Sequence, residues 1–376
     1  MLKRFAVLAA ALALAACATD TTPREDSPAP ADAAPKSTAA TQLAPREPVQ
    51  PEPASAWNAA ALAEAVAYVQ SQKTTGFLII QDGKTIAEHN WPLGDDAASQ
   101  TFRANFVHGE AAGGALREDV ASQQKSLIAL LVGIGVDRGL IDIERPVSDY
   151  IGSRWSKATP LEEGKITVRN LLEMNSGLKE DLTYDAPAGT KFFYNTPAYA
   201  ILKPVLEKVA NQKLYLLSQL WLTKIGNMHS TGWEQRPAVF ADVGNPTGLV
   251  TTPRDLAIMG QILLDGGRNQ TGARLISEQQ LKAILTPTAT NPAYGRLWWL
   301  NGSSETVNVG PNSPRRAGQL IPSAPRDLIA ALGAQDRKLF IVPSAKLLVV
   351  RTGQAAPDKD FNDRLWQLLM KAMPQH

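Results

Sequence analysis

Strand-like segments lie at the two ends of the globular part of this chain, and the segment between them is mostly helical. Near the beginning, two strand-like runs at 76–81 and 84–88 flank Asp82-Gly83. Asp-Gly between two such runs is a strong signal for a two-residue hairpin. Helical periodicity dominates from about 122 to 285. Three more strand-like runs come near the end of the chain: 328–332, 338–342 and 347–351.

This distribution predicts an α/β (α+β) fold, because strands from both ends must pair with each other once the helical middle is set aside. We expect one antiparallel sheet built from about 57–105 and 290–376, with helices flanking it. The region of about 122–285 is then an inserted, mostly helical subdomain. The predicted helices are 59–72, 122–138, 168–174, 197–209, 214–225, 253–265, 277–285 and 360–373.

The first residues have the pattern of a secretory signal. Lys3 and Arg4 precede an apolar stretch, which is too short to span a bilayer because spanning needs about 20 apolar residues. Leu14-Ala15-Ala16-Cys17 resembles the lipobox of bacterial lipoproteins. We therefore predict that residues 1–16 are a lipoprotein signal peptide and that Cys17 becomes the lipidated first residue.

Residues 17–56 are predicted to be a disordered tether between the lipid and the globular domain. The part from 21 to 55 contains eight prolines and no aromatic residue, so it cannot bury enough surface to offset its ordering entropy. The globular domain is expected at 57–376. The protein would be held in a membrane by its N-terminal lipid, on the periplasmic side of the bacterial envelope. By resemblance to enterobacterial lipoproteins, in which an aspartate after the cysteine retains the protein in the inner membrane, Ala18 favours the outer membrane.

Charge and composition exclude several classes of protein. Loss of the signal peptide removes Lys3 and Arg4 but no acidic residue, which leaves 36 basic and 36 acidic side chains. This balance gives no reason to expect a nucleic-acid surface. Cys17 is the only cysteine, so no disulfide forms within the chain. Without a His-Glu-x-x-His motif or a cysteine cluster, we expect neither a metal nor another cofactor.

Ser122 and Lys125 stand one helical turn apart at the start of an apolar helical run. Residues at i and i+3 share a helix face. A serine hydroxyl needs a base to become a nucleophile, and the positive potential of a helix N-terminus favours neutral lysine and a developing oxyanion. The pair therefore points to serine acyl-transfer chemistry.

The sequence offers two alternatives to this pair. A Ser-His-Asp triad is disfavoured because no G-x-S-x-G motif is present, although His108 or His229 could approach Ser122 in space. A second serine and lysine at the same spacing, Ser176 and Lys179, are rejected because Gly177 marks a loop and no apolar helix follows.

Several segments, in order, resemble the serine β-lactamase and penicillin-binding-protein superfamily over about residues 60–370. The resemblance is to the branch with class C β-lactamases, DD-peptidases, esterases and 6-aminohexanoate-oligomer hydrolases, and it implies the β-lactamase/transpeptidase-like fold. The segments are Ser122-Gln123-Gln124-Lys125, 133–142 with Pro146-Val147, 167–178, 187–196, 248–256 and 294–299.

The resemblance also implies roles for single residues. Ser122 is the nucleophile, and Lys125 and Tyr194 act as acid and base. The backbone N–H groups of Ser122 and Gln335 form the oxyanion hole. Residues expected to contact the substrate are Thr196, which follows Tyr194-Asn195, Ala334, and Trp298, since one of two adjacent tryptophans on a strand should face the cleft.

The sequence departs from the family pattern at the third motif. The family has Lys-Thr-Gly or a histidine variant on a strand that edges the site, and this chain has Gly333-Ala334-Gln335-Asp336. Without that cation, esters, amides and uncharged acyl donors are more plausible substrates than β-lactams. Arg337 or Lys338 could replace it only in a different strand register. The expected function is serine hydrolysis of a small-molecule or peptide-like substrate; the alternative is an inactive binding lipoprotein, and the oligomeric state stays open.

Overall fold

The computed structural model describes residues 57–238, 244–310 and 314–374. The residues predicted to form the signal peptide, Cys17 and the tether up to 56 lie outside the described residues. The helices are α1 Ala59–Ser71, α2 Ala97–Phe106, α3 Gln124–Asp137, α4 Ser148–Ile151, α5 Pro160–Glu163, α6 Val168–Leu172, α7 Thr196–Ala200, α8 Leu202–Ala210, α9 Leu214–Ser218, α10 Pro253–Leu264, α11 Glu278–Ile284 and α12 Phe361–Ala372.

Strands from both ends of the domain meet in one antiparallel sheet, which confirms the predicted fold class. Six strands pair in the order β2-β1-β12-β11-β10-β7. Asp82-Gly83 forms the predicted hairpin turn between β1 and β2. The strands are β1 Thr74–Gln81, β2 Lys84–Asn90, β3 Val107–Glu110, β4 Leu116–Asp119, β5 Gly232–Gln235, β6 Thr247–Thr251, β7 Trp299–Leu300, β8 Glu305–Val307, β9 Arg315–Ala317, β10 Ile329–Gly333, β11 Arg337–Val342 and β12 Leu347–Gly353.

The middle of the chain is less uniformly helical than predicted. A second sheet has the order β3-β4-β6-β5, and two of its strands, β5 and β6, fall inside the expected helical region. Helix α2 begins within the region of about 57–105 that is predicted to contribute to the sheet, and it ends at Phe106. The predicted helix at 197–209 is divided into α7 and α8, and the one at 214–225 becomes α9 and a π turn, Gln219–Thr223. Strands of four or five residues carry too little alternation to be detected by periodicity.

Helix α3 is the centre of the inserted region. Its residues are buried on every side from Gln124 to Gly135, so it is a core helix rather than an amphipathic surface helix. Gly133 and Gly135 allow close approach, because a Cβ at Gly133 would lie 2.7 Å from Ile276 and one at Gly135 would lie 2.8 Å from Ile141. This packing fixes the position of its N-terminal end.

A buried carboxylate connects the two sheets beside that end of α3. Glu118, on β4, accepts hydrogen bonds from the Thr75 hydroxyl of β1 and from the backbone N–H of Gly353 on β12. Its Oε2 also lies 3.5 Å from Nε of the buried Arg337 on β11. Because Glu118 and Arg337 are both fully buried, the pair is costly to separate.

In the part of the chain that the structure describes, no helix is long and apolar enough to cross a bilayer. Within the same residues, no group of three or more histidine, cysteine or acidic side chains is arranged to hold a metal ion.

The end of β10 packs directly on the segment that carries Ser122. A Cβ at Gly333 would lie 2.4 Å from the carbonyl oxygen of Val120 and 3.3 Å from Gln123. The close approach of this strand to the turn that carries Ser122 therefore requires glycine at position 333.

We predict that Gly333→Ala lowers the free energy of unfolding by about 1–3 kcal/mol, because the methyl group must displace the backbone at Val120. Urea unfolding measures the change. Gly232→Ala is the matched control, since a Cβ there meets no atom within 4 Å, and it should change stability by about 0.5 kcal/mol or less. Equal effects of the two substitutions would contradict the close approach.

Candidate active site

Ser122 lies in a strained turn between β4 and α3. The residue before it, Ala121, has φ of +50°, a left-handed conformation that costs a non-glycine residue about 1–3 kcal/mol. The turn is held from outside, since Oδ1 of Asp119 accepts a hydrogen bond of 2.8 Å from the Ala121 N–H. The Gln123 amide donates to the carbonyl oxygen of Ala331 on β10 at 3.2 Å. The strain is maintained by these contacts and directs Ser122 into a cavity.

The Lys125 ammonium is buried beside this serine. Its Nζ lies 3.0 Å from Ser122 Oγ, and only 2% of the residue is exposed. The Nζ also lies 4.9 Å from the ring centroid of Tyr194 and 4.7 Å from that of Tyr199. Burial, with the nearby charge of Arg236, lowers the pKa of Lys125 to about 7. A large fraction of this lysine is therefore neutral at physiological pH and can accept a proton.

The Tyr194 hydroxyl completes a cluster of three groups. It forms a side-chain hydrogen bond with Ser122, but burial dominates and raises the pKa of Tyr194 to about 12. The ring stacks on Trp299, with centroids 6.1 Å apart, and meets Tyr294 edge-on at 6.3 Å. The phenol is thus protonated at neutral pH and held in place, which suits a proton relay.

The segment after Tyr194 is fixed by Asn195. The Asn195 amide donates to the carbonyl oxygens of Leu178 and Lys179 at 2.8 and 2.9 Å. Its Oδ1 accepts from the Ala198 N–H at the start of α7. Asn195 therefore faces the protein interior, and Thr196 is the residue of this motif that lines the cavity.

Five of the predicted site residues line one cavity of about 450 Å³. Tyr194 is not among the lining residues, but its hydroxyl forms a hydrogen bond with Ser122. The five are Ser122, Lys125, Thr196, Ala334 and Gln335. The prediction for Trp298 was wrong, because its side chain is completely buried in the core. The tryptophan that approaches the site is Trp299, which packs on Tyr194. Alternation assigned the pair to opposite faces but could not say which face met the cleft.

Gln335 lies in the turn between β10 and β11 rather than on a strand. The carbonyl oxygen of Ala334 accepts a hydrogen bond of 3.0 Å from the buried Arg337. Because a peptide unit is planar and trans, the N–H of Gln335 points away from Arg337. Arg351 donates to the carbonyl oxygens of Gln335 and Asp336 at 2.9 and 3.1 Å. Two buried guanidinium groups thus hold the turn whose residues Ala334 and Gln335 line the cavity.

The third-motif cation is not replaced from the neighbouring strand. Arg337 is completely buried against Glu118. Lys338 is 5% exposed and its Nζ lies 3.2 Å from Asp336. Neither side chain lines the cavity of Ser122, so the register at 333–336 stands as expected from the sequence.

Arg236 is a cavity residue that sequence reasoning missed. It follows β5 and makes a bidentate pair with Asp119, with Nε–Oδ2 at 2.6 Å and Nη2–Oδ1 at 2.8 Å. Burial alone would raise the pKa of Asp119, but the hydrogen bonds and charge of Arg236 lower it below its ordinary value. Asp119 lies three residues before Ser122, where a carboxylate commonly stabilises a turn, so its role could have been predicted from the sequence. No pattern in the residues next to Arg236 predicts its pairing with Asp119.

Histidine does not contribute to this cavity in the described residues. Neither His108, on β3, nor His229 is among the side chains that line it. The arrangement around Ser122 therefore has lysine and tyrosine in the places where a triad would need imidazole.

The fold and the Ser122–Lys125–Tyr194 cluster define a serine hydrolase related to β-lactamases. A family model for β-lactamases matches residues 60–371, and the chain belongs to that family. It is 22% identical over 334 residues to the 6-aminohexanoate-dimer hydrolase of Paenarthrobacter ureafaciens. The aligned region covers 76% of this chain and 74% of that protein.

Solved structures share the fold. A β-lactamase from Mycobacterium bovis superposes with a TM-score of 0.56 at 16% identity, covering 83% of this chain and 100% of that one. A penicillin-binding protein from Bacillus halodurans gives a TM-score of 0.56 at 15% identity, covering 82% and 98%.

The acid limb of the pH–rate profile should report Lys125. We predict that kcat/KM for a p-nitrophenyl ester rises through about pH 7, because the protonated amine cannot accept the Ser122 proton. Arg236→Gln should move this limb to higher pH, since loss of a nearby positive charge raises the pKa of Lys125.

Arg254→Gln is the control for this shift, because Arg254 is an exposed arginine that pairs with Glu88. It should leave the limb in place. A limb that stays fixed in Arg236→Gln, or that moves to lower pH, would refute the electrostatic role of Arg236.

Proposed function

We propose that this protein is an envelope-anchored serine hydrolase that cleaves an ester or amide through an acyl-enzyme on Ser122. The observation that carries the proposal is the distance of 3.0 Å between Lys125 Nζ and Ser122 Oγ. It is supported by the lowered pKa of Lys125, about 7, which burial causes first and Arg236 second.

In acylation, neutral Lys125 accepts the proton of Ser122 as Oγ bonds to the substrate carbonyl carbon. The carbonyl π electrons move to oxygen and form a tetrahedral oxyanion. As the oxyanion collapses, the bond to the leaving alcohol or amine breaks. The leaving group takes a proton from Lys125, directly or through the Tyr194 hydroxyl, which contacts Ser122.

In deacylation, water attacks the ester carbon of the acyl-enzyme. Lys125 is neutral again after the first step and accepts a proton from this water, with Tyr194 as the relay. Collapse of the second tetrahedral intermediate breaks the Oγ–carbon bond. Ser122 Oγ takes the proton back from Lys125, directly or through Tyr194, and a carboxylic acid leaves the site.

Two backbone N–H groups, those of Ser122 and Gln335, are proposed to bind the oxyanion. Both residues line the cavity, and the Arg337 contact with the Ala334 carbonyl favours a Gln335 N–H that faces it. One such donor is typically worth about 2.7–4 kcal/mol of barrier height.

The substrate is proposed to be an uncharged ester or amide. No cation stands at Gly333–Asp336, and the cavity arginine, Arg236, uses Nε and Nη2 on Asp119. The curated relative named as a 6-aminohexanoate-dimer hydrolase supports hydrolysis of a small acyl substrate.

Anchoring in the envelope is proposed from the sequence of the N-terminal region. Leu14-Ala15-Ala16-Cys17 has the pattern of a lipidation site, and residues 17–56 would separate the lipid from the domain. A tether of this length would let the site reach substrates on the periplasmic side of the membrane.

Ser122→Ala should lower ester hydrolysis by about 10⁴-fold or more, because the nucleophile is lost. It should also abolish covalent labelling by a fluorophosphonate probe, which intact-protein mass spectrometry detects. The matched control is Ser176→Ala in the second serine–lysine quartet. Its hydroxyl contacts the backbone N–H of Leu178 rather than a lysine, and both readouts should persist.

Full activity in Ser122→Ala would end the assignment. The wild-type protein should also be tested with a panel of p-nitrophenyl esters, nitrocefin and D-alanyl-D-alanine peptides. If none of these acyl donors forms an acyl-enzyme, the inactive binding lipoprotein is favoured instead.

Cys17→Ser should abolish incorporation of radiolabelled palmitate and move the protein from the membrane fraction to the soluble fraction. The thioether that carries the lipid cannot form on serine. Cys17 is the only cysteine, so no other thiol can carry a lipid in the variant. A variant that stays in the membrane fraction would refute the lipid tether.

A further inference from the structure

A buried amide donor without a partner lies in the wall of the Ser122 cavity. Asn245 is 1% exposed and lines this cavity. Its Oδ1 accepts a hydrogen bond from Lys203 of α8, but its Nδ2 has no hydrogen-bond partner. Native proteins rarely leave a buried donor unsatisfied, so such a group in a cavity wall points to a ligand that satisfies it.

Lys203 fixes which end of the Asn245 amide is free. Nζ of Lys203 donates to the Thr247 carbonyl oxygen at 2.8 Å and lies 3.3 Å from the Thr247 hydroxyl. Burial, with the charge of Arg236, lowers the pKa of Lys203 to about 6. A neutral amine still has two N–H groups, for the Thr247 carbonyl and Asn245 Oδ1, and can accept from the hydroxyl. With Oδ1 of Asn245 accepting from Lys203, Nδ2 is the end of the amide that has no partner.

Asn245 also borders a second cavity. This side cavity of about 690 Å³ shares Pro197 and Asn245 with the Ser122 cavity. Much of its wall is apolar, including Ile201, Leu214 and Trp233. A substrate arm that extends from the carbonyl at Ser122 towards the side cavity passes Asn245, which lines both.

We propose that Nδ2 of Asn245 donates a hydrogen bond to a carbonyl oxygen in that substrate arm, so that the enzyme selects acyl donors whose arm contains an amide. The proposal rests on the proposed function of Ser122 and names its substrate class. Asn245 contacts the substrate, and Lys203 positions it.

The chemistry of the donor favours a neutral acceptor. Nδ2 carries no charge, and the nearest basic side chains are committed to partners: Arg236 to Asp119 and Lys203 to Thr247 and Asn245. A site built around a buried donor rejects an analogue that lacks the acceptor, because the donor then stays unpaired. An all-methylene arm is such an analogue.

The test compares p-nitrophenyl octanoate with a series in which an amide replaces two adjacent methylenes at successive positions of the acyl chain. The wild-type protein should prefer the best amide ester over the octanoate by about tenfold in kcat/KM, as expected for one well-placed hydrogen bond. Asn245→Leu should reduce this ratio to about one.

Asn362→Leu is the matched control, because the Asn362 amide also has an unpartnered buried atom but lies on α12, away from either cavity. It should keep the wild-type ratio. In a second variant, Asn245→Asp, one oxygen can stay with Lys203 and the other presents an acceptor, so the ratio should fall below one.

Fluorophosphonate labelling of Ser122 separates the possible failures. Labelling and octanoate turnover without an amide preference in the wild-type protein would overturn this inference alone. So would a preference that survives in Asn245→Leu and Asn245→Asp. Absence of both labelling and turnover would overturn the proposed function, and the inference with it.

Discussion

Burial of one ammonium group organises this site. Lys125 stands in the first turn of a helix that is buried on every side, and its nearest groups are a serine hydroxyl and two aromatic rings. In water the amine would hold its proton far more tightly. The lowered pKa of Lys125 therefore depends first on desolvation, and the positive charge of Arg236 lowers it further. A fold that merely brought serine and lysine together at the surface would leave the amine charged and unable to act as a base.

The groups that hold Ser122 are themselves buried ion pairs. Two adjacent residues of β4 make these contacts. Glu118 binds β1, β12 and Arg337. Asp119 binds Arg236 and the backbone N–H of Ala121. Breaking one partner of such a pair leaves an uncompensated charge. The strained turn is therefore coupled to the junction between the two sheets, and damage at that junction should reach the nucleophile.

The sequence predicted those parts of the molecule whose signals are local. Ser122 and Lys125 are only three residues apart, and the Asp82-Gly83 hairpin is set by turn chemistry, so both were found. Arg236 pairs with Asp119 and Asn245 with Lys203, and both partners are distant in the sequence. Hydrophobic periodicity does not predict such contacts. Trp298 shows a further limit, because alternation divides two tryptophans between two faces without identifying the face that meets the cavity.

The missing third-motif cation and the presence of Arg236 belong to one electrostatic design. The Arg236 guanidinium donates from Nε and Nη2 to Asp119 and from Nη1 to the carbonyl oxygen of Asn245, so three of its nitrogens are committed to the protein. It can therefore repel a proton from Lys125 without gripping a substrate carboxylate in the bidentate manner that arginine favours. A free cation at Gly333–Asp336 would do the opposite and draw anionic substrates into the site. In the proposed mechanism, the positive charge of Arg236 thus tunes the base, and recognition of the substrate is left to neutral hydrogen bonds and apolar contacts.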